Sequence, residues 1–193
     1  MRRAIGVVAA ASFLFIAAGG ICKADDDIAE KVARTRIETF LAQKDRLLVK
    51  EVYTLGKVTG LYSSSGMINA IITYEPDEKE NRLKGLLFEV KEGQNEEKSQ
   101  LTFLDMEEIE GLSSAIAAMG QLTQKGGKAE NSYTEIIYTT RDELIFGIYL
   151  GETEKEGFIT TGGAEKLTIF MEPEKMNEVK KIVDYEYTLL KMK

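Results

Sequence analysis

The apolar positions along this chain change their spacing several times, and each change predicts an element. From Asp27 to Lys44, Ala29, Ala33, Ile37, Phe40 and Leu41 fall on one helical face, with Glu30, Arg34 and Glu38 opposite. Four strand patterns follow. Arg46–Gly60 alternates through Leu47, Val49, Glu51, Tyr53 and Leu55, while Leu48, Val52 and Val58 supply the other face. Met67–Tyr74 is rich in β-branched residues and closes on the turn Tyr74-Glu75-Pro76-Asp77. Leu83–Lys91 contains Gly85 as a bulge position, and Ser99–Leu104 is the fourth strand.

The period then returns to that of a helix. Asp105 is placed as N-cap with Glu108 three residues later, the spacing of a capping box. Ile109, Leu112, Ile116, Met119 and Leu122 form its stripe, and Gly126-Gly127 lies just beyond its end near Gln124. The second half has the same plan, with strands over Tyr133–Thr140, Leu144–Leu150, Gly157–Thr161 and Lys166–Met171. The turns between them are Arg141-Asp142-Glu143, residues 151–156 and residues 162–165. A last helix begins at Pro173, whose missing N–H costs nothing in a first turn, with the stripe Met176, Val179, Val183, Tyr187 and Leu190.

Hairpin-length turns between successive strands predict mainly antiparallel sheets. The expected fold is therefore α+β, with two ββββα repeats packed as one compact domain and an N-terminal helix before them. The repeat halves are residues 46–124 and 131–193. Leu101-Thr102-Phe103-Leu104 matches Leu167-Thr168-Ile169-Phe170 at a shift of 66 residues, and the helix stripes match at 67. That difference implies one residue inserted at the strand–helix junction.

The first residues change the picture of where this domain acts. Arg2 and Arg3 precede a 15-residue apolar run, Ala4–Ala18, which is short of the roughly 20 residues a spanning helix needs. Small residues at Cys22 and Ala24 then precede Asp25-Asp26-Asp27. Residues 1–24 thus read as a cleaved secretory signal peptide, with cleavage after Gly20 as the runner-up. The expectation is a soluble domain over residues 25–193, secreted or periplasmic, with no membrane span. A lipid anchor on Cys22 is an alternative, although Ile21 stands where Gly, Ala or Ser normally precedes such a cysteine. Removing residues 1–24 removes Arg2, Arg3 and Lys23 and no acid. The 25 basic residues fall to 22 against 32 acidic ones, a net charge of −10. That sign repels nucleic acid and anionic lipid.

Absent residue types narrow the chemistry further. The chain has no His, and Cys22 is its single Cys. Imidazole-dependent nucleophilic catalysis is excluded, as are zinc and copper sites built on His or Cys. No metal and no other cofactor is predicted. The loop Tyr62-Ser63-Ser64-Ser65-Gly66 lacks the Gly-x-Ser-x-Gly elbow and reads as a turn. Lys125-Gly126-Gly127-Lys128 lacks the phosphate-loop pattern and reads as a connection. Asp25-Asp26-Asp27 lacks the spaced ligands of a calcium loop. Among the acids, Glu51, Glu89 and Glu135 lie inside strands, where an inward carboxyl needs a partner or a raised pKa. The chain has eight Tyr and no Trp, and six of the tyrosines lie in or beside strands. Tyr in such places caps a core or rims a binding face.

Two successions of four strands and a helix resemble, in element order, the Whirly single-stranded-DNA-binding fold. That family's basic motif has no counterpart here, and the acidic balance opposes nucleic acid. No catalytic, cofactor-binding or metal-binding residue is assigned. The reading that remains is an exported bacterial protein acting as a non-catalytic binding module for an unknown protein or small-molecule ligand. A His-independent, carboxylate-dependent hydrolase is the alternative, and a lipoprotein tethered through Cys22 is the third.

Overall fold

A computed structural model of the chain describes residues 35–93, 97–125, 133–152, 154–163 and 165–192. Residues 1–34, which include the expected signal peptide, Cys22 and Asp25-Asp26-Asp27, and residues 126–128 lie outside the described residues. The element order is α1 (Arg36–Leu41), β1 (Val49–Thr59), β2 (Ser64–Tyr74), β3 (Leu83–Glu92), β4 (Lys98–Asp105) and α2 (Met106–Lys125). It continues with β5 (Thr134–Thr139), β6 (Ile145–Leu150), β7 (Lys155–Thr160), β8 (Thr168–Met171) and α3 (Lys175–Met192). The strands form two antiparallel meanders, β1-β2-β3-β4 and β5-β6-β7-β8. The fold is α+β with two four-stranded units, each followed by a helix.

One core serves both sheets. The inner face of the first sheet presents Val58, Ile68, Ala70, Ile72, Leu86, Phe88 and Leu104; that of the second presents Phe146, Ile148, Ile159, Ile169 and Met171. Phe88 and Phe146 meet edge-on across the sheets, centroids 5.5 Å apart. The apolar stripes of α2 and α3 close this core. The two helices run antiparallel, with Ser113 on α2 bonded to Asp184 on α3 and the Tyr187 hydroxyl donating to Glu110 at 3.1 Å. No described helix is long and apolar enough to cross a membrane.

The central strand β2 is buried on both faces, so its sequence reads as a nearly continuous apolar run. Its outer residue Ile71 joins Leu87 and Ile37 in a second, smaller core that includes Leu41, Leu83 and Phe103. Helix α1 therefore lies on the outer face of the first sheet. Gly85 makes the approach possible, since a Cβ there would stand 2.6 Å from Ile37 Cδ1 and 2.0 Å from the Leu104 carbonyl oxygen. Burying Ile37 contributes about 1.5–3 kcal/mol.

Charged residues fix the same joint. The Arg36 and Ile37 N–H groups donate to the Asp105 carboxylate at 2.8 and 3.2 Å. Glu108 accepts from the Asp105 N–H at 3.1 Å and from the Arg141 N–H at 2.8 Å. Half of the expected capping box is thus present, while the Asp105 side chain serves α1 instead. Arg36 and Arg141 both pair with Glu107. Burial pushes the Glu107 carboxyl up, but the Arg141 hydrogen bond and the two guanidinium charges outweigh it and hold it below the usual range.

Three expectations are corrected. A helix unbroken from Asp27 to Lys44 does not form, because Thr35 is extended and caps α1, its hydroxyl accepting from the Glu38 N–H at 3.1 Å. The 66-residue strand match joins opposite faces: Leu101 is 45% exposed and Leu167 1%. A shift of 67 throughout, matching the helix stripes, aligns buried Leu104 with buried Met171 and outward Phe103 with outward Phe170, without an inserted residue. On α3, the buried stripe is Met176, Val179, Val183, Glu186 and Leu190, so Glu186 stands where Tyr187 is expected.

Candidate functional site

The outer face of the second sheet is built from three cross-strand rows. Pairing sets Glu135, Tyr149 and Glu156 side by side on β5, β6 and β7. The next row is Ile137, Gly147, Phe158 and Phe170, and the third is Thr139, Ile145, Thr160 and Thr168. Side chains two apart on a strand share a face, so these residues project away from the core that holds Phe146, Ile148, Ile159 and Ile169. Both α2 and α3 lie on that inner side.

Gly147 gives the face its relief. A Cβ at 147 would stand 2.2 Å from Cζ of Phe158, so the phenyl ring lies flat across the missing side chain. The result is a hollow of about 350 Å³ lined by Glu135, Tyr149, Glu156, Phe158, Thr160, Thr168 and Phe170. Its floor is apolar and aromatic. The Thr160 and Thr168 hydroxyls, 2.9 Å apart, form its polar side. Tyr133 extends the aromatic surface, its ring centroid 5.5 Å from that of Tyr149. Ile137 and Phe170 remain 56% and 37% exposed, which is unusual for a sheet face that only needs to be wetted.

The serine-rich loop borders this face. Tyr62 and Ser63 have φ of 55° and 57°, a left-handed pair that residues with a Cβ avoid. The strained tip is held in place by the Leu61 N–H, which donates to the Phe170 carbonyl at 2.6 Å. It sets Tyr62, 78% exposed, edge-on to Phe170 at 6.2 Å. A second hollow of about 220 Å³, lined by Tyr62, Ser64, Glu92, Gly93, Thr168 and Phe170, adjoins the first. Ser64 is buried with its hydroxyl donating to the Leu61 carbonyl at 2.6 Å, so it is turned away from the surface while Tyr62 is presented there.

The three strand acids separate. Glu51 faces inward and accepts from the Tyr53 and Tyr74 hydroxyls at 2.6 and 2.8 Å. The hydrogen bond to Glu51, then burial and that carboxylate's charge, push the Tyr74 hydroxyl up. Glu89 lies on the outer face of the first sheet, bonded to Ser99 and paired with Lys91. Of the three, only Glu135 reaches the hollow. The acids around Asp105 are each tied to a helix end, a turn or an arginine. Among the described residues no group of three His, Cys, Asp or Glu is placed to hold a metal ion.

The tyrosines divide likewise. Tyr74 is buried, and Tyr53, Tyr138 and Tyr187 pack on the core. Tyr62, Tyr133 and Tyr149 gather at the outer face of the second sheet. Tyr185 is exposed on α3. Glu156, Phe158, Thr160, Thr168 and Phe170 were not marked by any motif, and only the register brings them together. No protein family, no curated protein and no solved structure matches this chain.

Proposed function

We propose that this protein is a non-catalytic binding module whose ligand face is the outer surface of the second sheet. The observation that carries the reading is the aromatic hollow over Gly147. It has the volume of a small-molecule site, an aromatic floor, and carboxyl and hydroxyl groups at its sides. A panel of cationic, anionic and neutral small organic compounds, screened by saturation-transfer NMR, tests it. Compounds should bind to the wild type and be lost on Phe158→Ala, with the fold retained. Binding that ignores this substitution would reject the site.

A second reading rests on Glu135 and Glu156 lining one cleft, which favours a carboxylate-dependent hydrolase. Its general acid needs burial to stay protonated. Glu135 is exposed, and Tyr149 stands between the two strands' acids. Turnover of aryl glycosides, abolished by Glu156→Gln, would establish this reading in place of the first.

The module is read as exported, from the leader pattern of residues 1–24. Expression with that leader should yield a soluble exported chain whose mass begins at Asp25. A diacylglycerol adduct on Cys22 in the membrane fraction would instead make it a lipoprotein.

A further inference from the structure

We propose that the hollow takes a linear diamine, an alkyl chain with an ammonium group at each end; this rests on the binding reading above. The first argument is charge. The lining has two carboxylates, Glu135 and Glu156, and no basic residue. Neither carboxylate is hydrogen-bonded or ion-paired to another described residue. Lys155, at the start of β7, turns to the other side of the sheet and donates to the Thr123 carbonyl at 3.2 Å. The chain as a whole is acidic, with a net charge of −7, which favours cations over anions as ligands.

The second argument is spacing. Glu135 and Glu156 pair with the same residue, Tyr149, from opposite sides. Their backbones are therefore two strand spacings apart, roughly 10 Å. A methylene chain laid over the Tyr149 ring, beside Phe158, brings one ammonium to each carboxylate. The aromatic faces add cation–π attraction and exclude water from the stem. A monoamine satisfies one carboxylate, and a neutral chain satisfies neither. The Thr160 and Thr168 hydroxyls are left to an amine or hydroxyl within a longer polyamine.

Isothermal titration of the full chain with cadaverine, n-pentylamine and 1,5-pentanediol separates these cases, with indole as a neutral aromatic probe of the floor. Cadaverine should bind about three- to fivefold more tightly than pentylamine, the gain of one further charge contact at a partly exposed site. Glu135→Gln and Glu156→Gln should each bring cadaverine to the pentylamine level, a loss larger than any change in indole binding. Equal affinity for cadaverine and pentanediol, with indole still bound, would overturn the diamine and leave the binding face standing. Loss of all four would overturn the binding face itself.

Discussion

Glu186 occupies a core position that the chain gives to an apolar side chain 67 residues earlier, where α2 buries Met119. It is 0% exposed, and neither carboxylate oxygen has a hydrogen-bond partner. Burial alone pushes its pKa from 4.5 up to about 9. Below pH 4.5 the carboxyl is protonated in both folded and unfolded chains and leaves stability unchanged. Between these values the unfolded chain ionises while the folded one stays protonated, so stability falls as pH rises and levels off above the folded pKa. At about 1.4 kcal/mol per unit, roughly 3 kcal/mol is lost between pH 4.5 and 7. Glu186→Met, close in volume, should raise stability at neutral pH by roughly 2–3 kcal/mol. Urea denaturation of both proteins at about pH 5, 7 and 8.5 checks this. A gap between them that does not widen with pH would contradict it. Spacing could not have found this residue. Positions three and four beyond Val183 lie equally on the stripe, and hydrophobicity alone selects Tyr187 over Glu186.

At the scale of elements, α1 and the β1–β2 hairpin tip are each held by a contact far away in sequence. A six-residue helix is well below the length that persists alone. The Asp105 carboxylate holds its first turn through two N–H groups. Asp105→Ala should destabilise the fold by about 2–4 kcal/mol, with early loss of amide exchange protection over residues 36–42. Retained protection there would show that Ile37 alone docks the helix. The hairpin tip has the opposite balance. Tyr62→Asn with Ser63→Gly supplies residues that favour left-handed backbone and should raise stability by about 1 kcal/mol net of the lost ring contact. A lower melting temperature in the double variant would mean that the Tyr62–Phe170 contact outweighs the strain.

The strands were legible because β-branched and aromatic runs alternate between clear turns, and the two helices after them because their stripes are long. The periodic pattern runs past both ends of α1, since it does not register the competing side chain of Thr35. Glu156 is hidden from the sequence because it falls within an expected turn, whereas β7 begins at Lys155. Phe158 is hidden for a different reason. In Gly157-Phe158-Ile159 both faces are apolar, and the role of Gly147 exists only once β6 and β7 are in register.

For the whole molecule, the informative contrast is between the two outer faces. The first sheet carries α1, which covers Ile71, Leu87 and Phe103. Sixty-seven residues beyond Phe103, Phe170 lies on the second sheet with no described helix over it. The shared core uses both inner faces and both long helices, so the aromatic rows of the second sheet contribute nothing to it. A face of that kind persists in water at a cost in solubility, which occupancy by a ligand offsets. The most direct measurement is an amide chemical-shift map of the ¹⁵N-labelled protein titrated with indole, repeated on Gly147→Val, whose new side chain must displace the Phe158 ring. The binding-face account predicts saturable shifts at Glu135, Tyr149, residues 156–160 and residues 168–170, lost in the variant. Shifts confined to α2 and α3, or a map identical in the two proteins, would contradict it.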